Sequence, residues 1–168
     1  MRKLHALLFI TLLIAASACK KDSDNEPEID PKVRQLARSW KTETFTINPP
    51  LPVQDNTGAV TTVTDLYALF GTCEKDNIYS FNADPKTYTQ EAGAIRCTGQ
   101  GKVIEAGTWF FSTDKQTIVL DVAGSLENWD ILELTETRLR VSYAMPITIN
   151  EQGDRRTFTI TRTFSAAQ

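Results

Sequence analysis

From residue 102 onward, apolar and polar positions alternate in short runs at regular intervals. Ile118, Leu120 and Val122 share one side of a run, as do Leu139, Val141, Tyr143 and Met145, and then Phe158, Ile160 and Phe164. Thr, Arg or Ser fills much of the opposite side. A period of two is that of a strand with one covered face. The runs are separated by Ser112-Thr113-Asp114-Lys115, Ala123-Gly124-Ser125, Thr135-Glu136-Thr137 and Asn150-Glu151-Gln152-Gly153-Asp154, whose composition is that of turns. This predicts strands over residues 102–111, 117–122, 128–134, 138–145 and 156–164, with Pro146 ending the fourth.

Upstream, Trp40, Thr42, Thr44 and Thr46 alternate with Lys41, Glu43, Phe45 and Ile47, and the β-branched residues favour a strand. Asn48-Pro49-Pro50 is expected to end it, residues 51–58 to form a surface loop and residues 60–64 a short edge strand. Residues 65–70 predict one apolar turn, either a lid over the open end of a β domain or a hydrophobic patch for a partner. A polar turn at residues 73–77 leads into strands at 78–81 and 87–90, joined by Asn82-Ala83-Asp84-Pro85-Lys86. Before all of these, residues 31–38 predict a helix of two turns. Asp30 is its N-cap, Pro31 its first position, and Val33, Leu36 and Ala37 lie at helical spacing.

About eight strands with short links and almost no helix between them define an all-β, antiparallel meander. Curling it into an up-and-down barrel removes its exposed edges, so a barrel of about eight strands with a short N-terminal helix is expected over residues 31–168.

The first 18 residues have a different pattern. Arg2 and Lys3 precede a mostly apolar segment at residues 6–14, and Ala16-Ser17-Ala18 supplies small residues for a signal peptidase. The apolar stretch is far short of the ~20 residues of a spanning helix. Ser17, Ala18 and Cys19 resemble a bacterial lipobox, with Ala16 where Leu is commonest. The resemblance implies cleavage before Cys19 and its acylation, and two or three acyl chains hold a protein firmly at a membrane. The other reading is a secreted protein with a stray cysteine at its cleavage site. Residues 19–30 are charged and lack aromatics, so they are expected to be a flexible tether. Their lysine-then-acid order is similar to export signals of lipoproteins carried to the outer face of the outer membrane; a solvated linker with no address explains it equally.

Without the leader, 16 basic residues face 21 acidic ones, a formal charge of −5 with no basic patch of the nucleic-acid kind. The single histidine, His5, lies in the leader. The expected mature chain therefore has no Ser-His-Asp or Cys-His nucleophile and none of the usual catalytic zinc sites. No metal, cofactor or catalytic residue is assigned. Glu127 with Asp130 is a conceivable acid-base pair, but their spacing does not bring them to one cleft. Cys73 and Cys97 form an even pair in an oxidising compartment, which implies a disulfide; a reactive or metal-binding thiol pair is the alternative.

Leu36-Ala37-Arg38-Ser39-Trp40-Lys41, the run from Cys73-Glu74-Lys75-Asp76-Asn77 into Ile78-Tyr79-Ser80-Phe81, Gly107-Thr108-Trp109 and Trp129-Asp130-Ile131-Leu132-Glu133-Leu134-Thr135 together resemble the lipocalin-like domain of Gram-negative outer-membrane lipoproteins. The resemblance covers nearly the whole mature chain, and its motifs are packing signatures. Trp40 would close the barrel base, and the cysteine pair would staple the lid or an early strand. Arg38 departs from the pattern, standing where a lipocalin Gly-x-Trp has glycine. The implied function is that of a membrane-anchored, non-enzymatic lipoprotein at the outer membrane, on its periplasmic face or the cell surface. It would bind a small, partly apolar ligand in or at the mouth of the barrel. Candidate lining residues are Phe45, Phe81, Tyr88, Phe110, Leu120, Val141, Tyr143 and Phe158, each of which also suits a filled core. Arg138, Arg140, Arg155, Arg156 and Arg162 suit either an anionic group near a rim or a solvated strand face. The alternative function is an accessory module with a solid core that contacts a protein or glycan through its loops.

Overall fold

A computed structural model describes residues 29–149 and 153–167. The leader, Cys19, the tether before residue 29 and Asn150-Glu151-Gln152 lie outside the described residues. Helix α1 (Pro31–Leu36) is followed by β1 (Ser39–Gln54), β2 (Val60–Asp65), a 3-10 turn (Tyr67–Leu69), α2 (Thr72–Lys75), β3 (Ile78–Phe81) and β4 (Thr87–Glu91). Then come β5 (Val103–Phe111), β6 (Thr117–Val122), β7 (Ser125–Leu134), β8 (Arg138–Thr148) and β9 (Arg155–Ala166). All pairings are antiparallel, in the order β2-β1-β3-β4-β5-β6-β7-β8-β9, and β1 also pairs with β9. That last pairing closes eight strands into a barrel, with β2 as a flap on the far half of β1.

Several boundaries differ from the sequence expectation. Asn48-Pro49-Pro50 does not end β1, which continues to Gln54. The pairing of β1 with β2 shifts register between Thr46 and Leu51, so the prolines lie where no regular ladder needs their missing N–H groups. Residues 51–54 are therefore strand, not loop. Likewise β8 runs past Pro146 to Thr148, and β7 begins three residues early, at Ser125. The polar turn at 73–77 is mostly the short helix α2, and α1 ends at Leu36.

The ends of the barrel are built differently. At the closed end the Asp30 side chain accepts from Lys32 N at 2.9 Å, capping α1, and pairs with Lys115 in the β5–β6 turn. Arg38 donates to the Glu136 carbonyl in the β7–β8 turn and lies over the Trp40 ring, 5.8 Å from its centroid. An arginine at the usual glycine position thus covers the tryptophan from outside. Trp40 and Trp109 are buried and donate their indole N–H groups to Leu36 O at 3.0 Å and Asn82 O at 2.9 Å. With Leu36, Phe81, Tyr88 and Phe164 they fill this half of the lumen. Gly107, midway along β5, permits a tight contact with the end of β6, since a Cβ would lie 2.1 Å from Asp121 O. At the opposite end a second cluster, Ile47, Phe158 and Ile160, is roofed by Phe45, Leu51 and Leu66. Residues 65–70 serve as the expected lid, Phe70 lying 5.4 Å from Phe45 between ring centroids. The disulfide Cys73–Cys97 ties α2 to the β4–β5 loop.

Candidate functional site

Between β7 and β8 the ladder stops at Asp130↔Ser142, although β7 begins at Ser125 and β8 runs to Thr148. Over residues 125–129 and 143–148 each strand keeps its outer neighbour, β6 or β9, and loses the inner one. The wall therefore parts at the open end. Pro146 fits this, because β8 has become an edge at that point and proline is tolerated on edges. A cavity of about 450 Å³ opens in the gap, lined by residues 125–128 of β7 and 143–146 of β8. This volume lies in the range of small-molecule pockets, roughly 300–1,000 Å³.

Glu127, Trp129 and Ile131 alternate with outward residues, and so do Leu139, Val141 and Tyr143. Trp129 donates to the Glu127 carboxylate at 3.2 Å and stacks on Tyr143, with centroids 5.9 Å apart and planes at 16°. Burial pushes the Tyr143 phenol up to about 12; Arg162 opposes the shift by charge and by a hydrogen bond, and Glu127 adds to it. Burial likewise raises Tyr88, whose hydroxyl lies 3.3 Å from Glu105.

Diagonal to Tyr143 on the neighbouring strand lies Arg162, only 8% exposed. It occupies the inward register of β9 between Ile160 and Phe164. Its Nε donates to Thr42 Oγ1 at 3.2 Å and its Nη2 donates to the Tyr79 hydroxyl. The guanidinium carbon lies 4.4, 5.0 and 5.1 Å from the ring centroids of Tyr79, Phe164 and Phe45. Desolvating a cation costs several kcal/mol. Three desolvated cation–π contacts, each worth up to about 2 kcal/mol, together with two charge-assisted hydrogen bonds, offset that cost. Of the five arginines noted in the sequence, Arg138, Arg140, Arg155 and Arg156 are exposed and only Arg162 is buried.

Of the eight candidate lining residues, Tyr143 alone borders the gap cavity. Phe81, Tyr88, Leu120 and Val141 are buried in the packed core, and Phe158 in the open-end cluster. Phe45 roofs that cluster and faces Arg162. Phe110 requires correction: Trp109 and Phe111 take the inward register of β5, so Phe110 faces out and is 45% exposed. Glu127 and Asp130 do not form a pair. Three residues apart on a strand they point to opposite faces, and Asp130 instead accepts from Thr117 Oγ1 at 2.9 Å. Sequence reasoning missed the cavity residues Ser125, Leu126, Asn128, Met145 and Pro146 as a lining. It left Arg162 open, although an arginine in register with Phe158, Ile160 and Phe164 was a visible signal that it turns inward.

Comparison with known proteins agrees with this architecture. A search of curated proteins found no match. The family model described as a lipocalin-like domain matches residues 36–141, from the last residue of α1 into β8. Lipocalin folds are typically binding rather than catalytic, and their barrels hold small ligands. Fold, barrel closure and family model converge: the chain belongs to the lipocalin-like domain family.

Proposed function

We propose that this chain is a membrane-tethered, non-enzymatic binding protein that takes a small, partly apolar molecule into the gap between β7 and β8. The observation that carries this reading is the cavity of about 450 Å³ in the parted wall of a barrel whose other half is solid with aromatic side chains. Its surface mixes Leu126, Met145 and Pro146 with Ser125, Glu127 and Asn128, as an apolar molecule with a polar group requires. The tether is expected to carry a lipid on Cys19 and to hold the domain at the outer membrane. α1 begins at the closed end, so the tether joins the domain at the end opposite the gap.

Two experiments test the two parts. Thermal-shift screening with lipids, bile acids and haem is expected to find a stabilising ligand, by about 2.7 kcal/mol at a hundredfold excess over Kd. Met145→Trp, which fills the cavity, is expected to abolish the shift. A screen without any stabilising molecule refutes the binding reading. Metabolic labelling with a palmitate analogue is expected to mark the chain and to fail in Cys19→Ala; label retained by the variant refutes the anchor.

The second reading, an accessory module contacting a protein or glycan through its loops, draws on the solid closed half and on exposed Val60, Leu69 and Ile95 near the open end. A membrane pull-down returning no reproducible partner counts against it.

A further inference from the structure

In an antiparallel sheet the N–H and C=O groups of successive residues turn to alternate neighbours, so each backbone group of β7 and β8 has an assigned side. Ile131 N donates to the Gln116 carbonyl, on the β6 side. By alternation Trp129, Glu127 and Ser125 also turn their backbone groups to β6, while Leu126, Asn128 and Asp130 turn theirs to β8. Ile149 N donates to the Asp154 carbonyl, on the β9 side. Met145 and Tyr143 therefore serve β9, and Ser142, Ala144 and Pro146 turn toward β7. Asp130 and Ser142 meet as the last pair of the ladder. Above them Leu126 and Asn128 face Ala144 and Pro146 across the gap, and no hydrogen bond among the described residues joins them.

All four of these residues line the cavity, and all four are exposed. The walls of the gap thus present two strand edges, whose donors and acceptors repeat every second residue, about 6.8 Å apart. A hydrocarbon leaves such groups unmatched. Another extended backbone carries the same groups at the same repeat. The two edges are not equal: Leu126 and Asn128 each keep an N–H, whereas Pro146 has none. Of the residues lining the cavity, Glu127 alone is charged, and it lies on the inner face of β7 between them.

We propose that the ligand of the gap is a short peptide in extended conformation, which lies antiparallel along the free edge of β7, exchanges backbone hydrogen bonds with Leu126 and Asn128, and sets a basic side chain against Glu127. This assignment rests on the reading of the gap as a ligand pocket and adds the chemical class of its ligand. The peptide residue opposite Glu127 shares its inner face, and charge complementarity makes that residue lysine or arginine. Its two neighbours, opposite Leu126 and Asn128, turn outward, where Leu126 is 61% exposed and favours an apolar partner. The sequence recognised is therefore apolar, basic, apolar.

Isothermal titration of the full chain with the pentapeptide Thr-Val-Lys-Val-Thr, acetylated and amidated at its ends, tests this. The peptide is expected to bind. Its counterpart with glutamate in place of lysine is expected to bind roughly tenfold more weakly. The same loss is expected on N-methylation of both valines, which keeps every side chain and removes the two donors for the Leu126 and Asn128 carbonyls. Asn128→Pro deletes an N–H that the β6 ladder does not use and is expected to weaken binding severalfold, and Glu127→Gln to erase the preference for lysine over glutamate. Should either variant fail to fold, the N-methylated peptide carries the test on the parent chain. An N-methylated peptide that binds as tightly as its parent overturns the strand pairing, and equal binding of the lysine and glutamate peptides overturns the role of Glu127. Light scattering reads the other occupant: a dimer lost in Asn128→Pro gives the edge to a second copy of this chain and overturns the peptide. No peptide binding, beside a small molecule whose stabilisation Met145→Trp abolishes, overturns the peptide and leaves the pocket standing. Failure of peptides and small molecules alike overturns both.

Discussion

At the closed end of the barrel, Trp40 and Trp109 give their indole N–H groups to the backbone carbonyls of Leu36 and Asn82; beside the gap, Trp129 gives its own to the carboxylate of Glu127. The closed end keeps its one covering cation, Arg38, outside, over the face of Trp40. The open half keeps Arg162 inside, among Tyr79, Phe164 and Phe45. Both halves are rich in aromatics, yet in one the indole N–H groups are satisfied by neighbouring backbone and in the other by a carboxylate that also lines the cavity. Fixed backbone partners suit a part that only has to hold. Side-chain partners can exchange for a ligand group.

The contrast can be broken most strongly at its base. Trp40→Ala removes a fully buried ring and its bond to Leu36 O, and is expected to cost about 3–5 kcal/mol in urea denaturation. A loss below about 1 kcal/mol would mean that the closed end is not the stabilising half. Replacing Cys73 and Cys97 together by alanine frees a loop of 24 residues, for which chain entropy predicts about 3 kcal/mol. Because the staple holds α2 and the β4–β5 loop, hydrogen exchange is expected to rise there before it rises in β6 or β9.

Arg162→Met sharpens the comparison from the other side. Loss of the cation–π contacts is balanced by the desolvation no longer required, so stability is expected to stay within about 1 kcal/mol of the parent. A larger loss would make Arg162 a structural keystone. The smallest effect belongs to Asp30. Its hydrogen bond with Lys115, its backbone bond from Lys32 and the Lys115 charge hold its carboxyl below the ordinary carboxylate value. A lowered folded-state pKa contributes stability above the unfolded value, near pH 4, which is lost as pH falls through the folded one. Asp30→Asn is therefore expected to lower stability slightly at neutral pH and to match the parent under strong acid, as measured by denaturation at both. Equal stability at both pH values would remove the cap from the account.

Much of the wall was legible along the chain. Ile118, Leu120 and Val122, and Leu139, Val141 and Tyr143, occupy the faces their alternation predicts, and Cys73 bonds Cys97. Strict alternation failed at two places. It sets Trp40 and Phe45 on opposite faces, yet both turn inward, because the β1–β9 register shifts between Thr42 and Thr44 and Glu43 is the extra residue. The β7–β8 register shifts in the same way between Ile131 and Glu133, leaving Leu132 exposed. A bulge is a property of two strands together, so one strand's pattern does not reveal it.

The chain by itself determined the strand period, the turns, the cap at Asp30 and the cysteine pair, since these depend on side-chain alternation, local hydrogen bonding and composition. Tertiary structure alone decided that β1 meets β9, that Pro49 and Pro146 lie inside strands, and that β7 and β8 part above Asp130. It also decided that Arg162 has aromatic rings for neighbours. The physical reason is the range of the forces. Period and turn chemistry act over a few residues, whereas a closed ladder, a gap in it and the surroundings of a buried charge depend on which distant strand lies alongside.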